Sequence, residues 1–355
     1  MSELRFGYGT NGFANHRLGD ALTVIAGLGY SGVALTLDTD HLDPFAPDLA
    51  RRVTRTADQL RDLGLAVVIE TGARYLLDPW RKHAPTLLHD DRKLRLDFLR
   101  RAVAVGADLG AEAVSCWAGV RPDDVDERTA WQRLVEGCAE VTEAATDAGV
   151  PLGFEPEPGM LVEDIAGWRR LRAALGGPDV FGITLDIGHC RCLENAPVPD
   201  CVTAVADHLV NVQIDDMCRG VHEHLEFGTG EIDFPPVLRA LRDGGYRGLV
   251  AVELPRHSHA APAVARESLA FLRAADEEGS CPLTICAPRA APYRESPGWM
   301  TRWPACAPTR TPPGRCSRGP SASSGGRRWP TAVPGRPGGP GGRCCWPSWP
   351  TPSGS

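Results

Sequence analysis

Glu155, Asp186, Gln213 and Glu253 each close a short apolar run, in the segments FEPEP, LDIGH, VQIDD and VEL. Three carboxylates and an amide oxygen at the ends of buried strands are the donors a metal-centred site needs. Between the third and fourth ends, Val221-His-Glu-His-Leu-Glu-Phe-Gly228 adds the imidazoles of His222 and His224. The DxxH spacing of Asp186 and His189 lets a short carboxylate and a ring nitrogen meet one cation or one substrate oxygen. Glu155 ends its apolar run directly and reads as functional, whereas Glu157, farther into the loop, reads as a solvated acid. Asn211 and Gln213 share one strand face, opposite Val210, Val212 and Ile214, and an inward polar pair needs partners to repay its burial.

Eight runs position these groups: Phe6 to Tyr8, Gly32 to Thr36, Ala66 to Glu70, Ala113 to Trp117, Leu152 to Glu155, Phe181 to Asp186, Leu209 to Ile214 and Leu249 to Glu253. Between them lie amphipathic stretches such as Leu94 to Leu109 and Ala130 to Ala148, with apolar residues at three- and four-residue spacing. Gly29, Gly64, Gly110, Gly149 and the pair Gly244-Gly245 follow the last helical turns. Eight strand-then-helix units in roughly 275 residues predict a (β/α)8 TIM barrel, whose active site lies at the carboxyl ends of the strands. No glycine-rich nucleotide turn follows the first strand, which disfavours a doubly wound sheet.

The 355-residue chain carries a formal charge of −7, but residues 279–355 hold ten Arg, no Lys and the single acid Glu295. That segment is therefore +9 and the first 278 residues −16. So acidic a body repels phosphodiester backbones, which leaves small polar molecules as the expected partners and nucleic acid disfavoured. The tail is rich in Pro, Gly, Arg, Trp and Cys and has no helical or strand periodicity, which predicts a barrel domain over 1–278 followed by a disordered low-complexity segment over 279–355. A GC-rich gene read out of frame after Glu278 gives the same composition. The start of the chain lacks a basic, long apolar leader and no run of 18 apolar residues follows, so the expected location is the cytoplasm, with no membrane partner. The twelve Cys divide evenly between body and tail without repeated CxxC spacing, as reduced thiols would; the single Cys190-Arg-Cys192 is a weak zinc signal.

Together FEP, LDIGH, QIDD and AVEL, with HEHLEFGTGEIDF between the last two, resemble the xylose-isomerase-like TIM-barrel family of sugar and sugar-phosphate isomerases and epimerases, to which endonuclease IV also belongs. The resemblance runs from about Phe6 to Phe271. It implies one divalent metal ion held by Glu155, Asp186 and Glu253, with Gln213 where the family has His, and His189 as a substrate-binding residue. Because an amide oxygen is a weaker ligand than imidazole for zinc, Mg2+, Mn2+ or Co2+ is expected ahead of Zn2+; alternatively His222 or His224 supplies the nitrogen. The implied chemistry is proton abstraction through an enediolate, with Glu155 and Glu253 as the catalytic acid/base pair. His222 and His224 resemble the family's substrate-closing loop and join Glu70 and Trp117 as expected substrate contacts. Tyr8, Asn11 and Phe13 are candidate walls, and Lys82, His83 and Arg92 candidate phosphate contacts. The expected ligand is a sugar, sugar phosphate or cyclitol, and a homo-oligomer is compatible. Competing readings are an inosose-type dehydratase, an abasic-site endonuclease-like hydrolase, which would need more His on the early strands, and a non-catalytic sugar-binding barrel, for which Gln213 is the best argument.

Overall fold

The computed structural model describes residues 3–280. Its strands are β1 (Arg5–Gly9), β2 (Gly32–Thr36), β3 (Ala66–Glu70), β4 (Val114–Trp117), β5 (Leu152–Glu155), β6 (Phe181–Asp186), β7 (Leu209–Ile214), β8 (Asp216–Cys218), β9 (Val221–Leu225) and β10 (Leu249–Val252). All but β8 and β9 run parallel and close a barrel in the order β1-β10-β7-β6-β5-β4-β3-β2. The TIM barrel expected from the periodicity is thus present, with each strand end within two residues of expectation. Glu253 lies one residue past β10 but still extends the ladder, its N–H donating to the Ile214 carbonyl at 3.1 Å.

Crossover helices α1 (Leu18–Leu28), α2 (Leu49–Leu63), α3 (Lys93–Leu109) and α4 (Glu127–Ala148) each end on a left-handed glycine, which turns the chain at once into the next strand. The remaining helices are α5 (Ile165–Ala174), α6 (Ile187–Leu193), α7 (Val198–Val205), α8 (Phe234–Asp243) and α9 (Ala261–Ser280). The amphipathic α9 continues through Ser280, two residues beyond the expected domain end. The expected disorder of the tail and its out-of-frame origin concern 281–355, which lie outside the described residues. No helix among the described residues is long and apolar enough to cross a membrane. Among the described residues no disulfide joins two of the six body Cys.

Strand alternation makes two separate apolar layers. Val33, Leu35, Val67, Ile69, Val250 and Val252 point outward into the large core beneath the helices. Ala34, Val68, Ala113, Leu249 and Ala251 point inward and fill the floor of the barrel. Space there is so tight that a Cβ on Gly32 would stand 2.6 Å from both the Ala66 carbonyl oxygen and Leu249 Cδ1.

One element departs from the expected alternation. The segment after β7, expected to be a loop, folds as an antiparallel hairpin of β8 and β9. His222 and His224, two residues apart on β9, therefore project from one face of a strand.

Candidate active site

The carboxyl ends of the strands open into a cavity of about 590 Å³ whose lining includes Glu70, Trp117, Glu155, His189, Gln213, His222, His224 and Glu253. All five expected substrate contacts and three of the four expected metal ligands thus face one space. The fourth, Asp186, is 1% exposed and lies just beneath. It pairs in register with Gln213 across β6 and β7, so the two side chains stand side by side. Its Oδ1 caps α6 by accepting the His189 N–H at 2.8 Å, while its Oδ2 is buried without a partner. One carboxylate both starts a helix and leaves an oxygen over for a ligand.

The inward polar pair of β7 divides its duties. Asn211 donates to Glu70 Oε1 at 3.2 Å, forming a hydrogen-bonded network, while its own Oδ1 and Gln213 Oε1 are buried and unpartnered. On the far side Asn11 donates to Glu253 Oε1 at 2.9 Å, leaving Glu253 Oε2 without a partner. Orphaned buried oxygens on Asp186, Gln213 and Glu253 are an unstable arrangement unless a cation or substrate satisfies them.

Electrostatics agree with that geometry. Burial, reinforced by the Glu253 charge, holds the carboxyls of Glu70 and Glu155 well above the usual carboxylate range. Glu253 is raised too, chiefly by burial. Glu157, expected to be solvated, instead forms part of the cavity wall. Its loop folds back through Glu157 N–H to the Val162 carbonyl at 3.2 Å, and burial with Glu253 lifts its carboxyl to about 8.

Asp215 carries no signal in the sequence, yet it belongs to the site. This residue is fully buried, pairs with His224 Nδ1, and keeps Oδ1 unpartnered. Gly188 is required opposite it, since a Cβ there would fall 2.0 Å from Asp215 Oδ1. Burial works against a charge on His224, but the Asp215 carboxylate outweighs it and raises the ring to about 10. Burial dominates at His189 and lowers it to about 4. The neighbouring Asp216 organises backbone instead, its two oxygens accepting the N–H groups of Met217, Gly228, Gly230 and Ile232 at 2.8–3.1 Å and so gathering the loop that follows the hairpin.

The wall after β3 is also preformed. Arg95 on α3, 3% exposed, donates to the carbonyls of Thr71, His83 and Pro85 at 2.8–3.1 Å and stacks on Trp117 with 4.9 Å to the ring centre. Lys82 and His83 line the cavity with Arg74 and Arg256. Arg92 does not: it faces Glu136 at 3.1 Å on the helical surface. Tyr8 and Phe13 are fully buried and pack edge to face in the core, so of the three candidate walls after β1 only Asn11 reaches the cavity.

Among the described residues, three sets of side chains bring ligand atoms within 4.8 Å of one another: Glu155–Asp186–His189, Asp186–Asp215–His224 and His189–His222–His224. Glu253 lies outside these sets.

A closed ring of eight parallel strands with acids, imidazoles and an amide on its carboxyl edge defines the class of α/β barrels that carry their chemistry at that edge. The chain belongs to the xylose isomerase-like TIM-barrel family, whose model matches residues 22–275. It is 28% identical over 232 residues to L-ribulose-5-phosphate 3-epimerase UlaE of Escherichia coli (strain ATCC 8739), covering 62% of this chain and 80% of that protein. Among solved structures, an L-ribulose 3-epimerase matches with a TM-score of 0.63 at 23% identity, covering 78% of this chain and 96% of the other. D-allulose 3-epimerase from Methylomonas sp. matches at 0.62 and 20% identity, with 78% and 99% covered. The E. coli 3-keto-D-glucoside 4-epimerase YcjR gives 0.63 and 17%, with 77% and 100% covered.

Proposed function

We propose that this chain is a sugar or sugar-phosphate epimerase that depends on a divalent metal and works by proton transfer at a carbon beside a carbonyl. The sugar isomerase/epimerase class is supported by its epimerase relatives. The observation that carries the mechanism is the pair Glu155 and Glu253. They line one cavity and stand three strand places apart in a ring of eight, on nearly opposite sides, and each has a carboxyl that burial keeps above its ordinary range.

Epimerisation needs one group to remove a proton from one face of a carbon and a second to return it to the other. A carboxyl held above its ordinary range is a stronger base once ionised and a usable acid near neutrality. Asn11 fixes the orientation of Glu253 through its Oε1, leaving Oε2 to face the substrate. Glu155 and Asp186, with Glu253 and the Gln213 carbonyl, would hold the divalent ion, whose needs the orphaned oxygens of Asp186, Gln213 and Glu253 fit. When bound, the cation supplies Lewis-acid stabilisation of negative charge on substrate oxygen. His189, neutral at pH 7 and with Nδ1 turned to the Pro156 carbonyl, can accept from a sugar hydroxyl through Nε2, while Trp117 and the Glu70–Asn211 network shape the wall. Arg74, Lys82 and Arg256 at the cavity would favour a phosphorylated or polyhydroxylated substrate.

The test is solvent deuterium exchange into D-allulose, L-ribulose and L-ribulose 5-phosphate by protein supplied with Mg2+, Mn2+, Co2+ or Zn2+. Exchange at a carbon next to the carbonyl, lowered 10²–10⁴-fold by Glu155→Gln or Glu253→Gln, is the expected result. Loss of water from an inosose, with no exchange into the ketoses, would favour the dehydratase reading. Saturable sugar binding with neither reaction would leave a binding barrel.

A further inference from the structure

The hairpin β8–β9 brings imidazoles to the place where strand β7 offers only an amide. His222 Nε2 lies 3.0 Å from His189 Nε2, and the ligand nitrogens of His189, His222 and His224 all fall within 4.8 Å of one another. Two nitrogens bound tetrahedrally to one ion at 2.0–2.1 Å would stand about 3.3 Å apart, close to the observed separation.

The outer nitrogens of His189 and His224 are already committed in the sense a metal site requires. His189 Nδ1 lies 3.2 Å from the Pro156 carbonyl, and a carbonyl can only accept, so Nδ1 carries the proton and Nε2 of the neutral ring presents its lone pair. His224 Nδ1 faces the Asp215 carboxylate, leaving Nε2 as the second lone pair once the ring gives up its other proton. A carboxylate or carbonyl behind an imidazole is the usual support for a ligating histidine, fixing its tautomer and raising its basicity. Asp186, only 1% exposed and with Oδ2 unpartnered, lies within ligand reach of His189 in one set and of His224 in another. Donors of mixed nitrogen and oxygen character from β6, α6 and β9 therefore lie in overlapping sets that share His189, Asp186 and His224.

We propose that His189, His222 and His224, with Asp186, form the nitrogen-rich face of the cation site, replacing the Gln213 carbonyl as the deciding donor and selecting Zn2+ or Co2+ over Mg2+. The inference rests on the metal-dependent reading of the same cavity and reverses the preference drawn from Gln213 alone. Imidazole donors favour borderline transition ions, whereas Mg2+ prefers carboxylate, carbonyl and water. Asp215 acts as a positioning residue through His224 and is not itself a donor to the ion.

The test uses the full chain stripped with a chelator and titrated with Co2+, Zn2+ and Mg2+ alone, read by calorimetry and by the visible spectrum of the Co2+ form. Zn2+ should bind at least about 100-fold more tightly than Mg2+. His222→Ala and His224→Ala should each weaken Zn2+ by about 100-fold and alter the Co2+ spectrum. Asp215→Asn should cost about 10–100-fold, as removal of an outer support does, and Gln213→Ala less than about threefold. Circular dichroism checks the fold of each variant. X-ray absorption of the wild-type Zn2+ complex needs no variant: scattering from two or more imidazoles supports the site, and an oxygen shell with one ring or none overturns it. Tight binding that depends on Gln213 and ignores His222 and His224 also overturns it, yet leaves the epimerase reading standing. Failure to bind any divalent ion removes both.

Discussion

The floor and the mouth of the barrel are built from the same eight strands, a few residues apart, and they obey opposite rules. Below, Ala34, Val68, Ala113, Leu249 and Ala251 fill the interior with small apolar groups. Above, Asp186, Gln213 and Glu253 keep buried oxygens without partners. Burial of apolar atoms at the floor stabilises the fold, while burial of uncompensated charge at the mouth destabilises it. Stability and chemistry therefore sit at separate heights along each strand, and substitutions can be placed to break that division.

The largest effect is expected at the floor. Gly32→Val would drive a side chain into the Ala66 carbonyl and Leu249, and neither a strand backbone nor a packed Leu can withdraw far. Soluble protein should be lost, or its Tm lowered by about 10 °C or more in a thermal melt. Survival with normal Tm would mean the floor is looser than its contacts show.

At the mouth the sign reverses. Glu155→Gln should reduce deuterium exchange 10²–10⁴-fold and, in chelator-treated protein, raise Tm by a few degrees because a crowded buried acid is gone. A variant that lost stability instead would show Glu155 to be a packing residue.

The acids also make stability pH-dependent. Glu157 titrates near 8 when folded and near 4.5 unfolded, so between those values the folded chain holds a proton that the unfolded chain releases. Its favourable contribution is complete below about 4.5 and is lost as pH rises through about 8. The metal-free protein should therefore lose several degrees of Tm across that window, and saturating divalent ion should flatten the slope. A rising Tm over the same range would contradict the buried-acid account.

The smallest expected change is at Asn11→Ala. Releasing Glu253 Oε1 should lower kcat about tenfold or less, with KM nearly unchanged and the pH profile shifted, while Tm moves little. A change confined to KM would place Asn11 on the substrate rather than behind the carboxylate.

How much of this the sequence disclosed follows from the range of the forces. Strand ends are readable because strands buried on both faces are continuous apolar runs closed by a polar residue, and a left-handed glycine marks four helix exits locally. The convergence of Glu155, Asp186, Gln213 and Glu253 followed once strands were placed in a ring. The hairpin was not readable: Asp216–Cys218 is too short to show a pattern, and Val-His-Glu-His-Leu lacks a dominant apolar face. Asp215 has no local signal because its partner His224 is nine residues away and meets it only after the chain reverses. Glu157 looked solvated because its burial depends on a loop closure to Val162. Each miss was a short-range sequence feature given its meaning by a tertiary fold-back.

Arg95 has a practical corollary. Because one guanidinium on α3 fastens three carbonyls of the preceding connection and stacks against Trp117, that wall cannot be exchanged by swapping residues 71–92 alone. A graft from a related barrel would need its boundary moved past Arg95 into α3, together with the matching aromatic on β4, and transplants cut at the helix start should arrive with their new loop untethered.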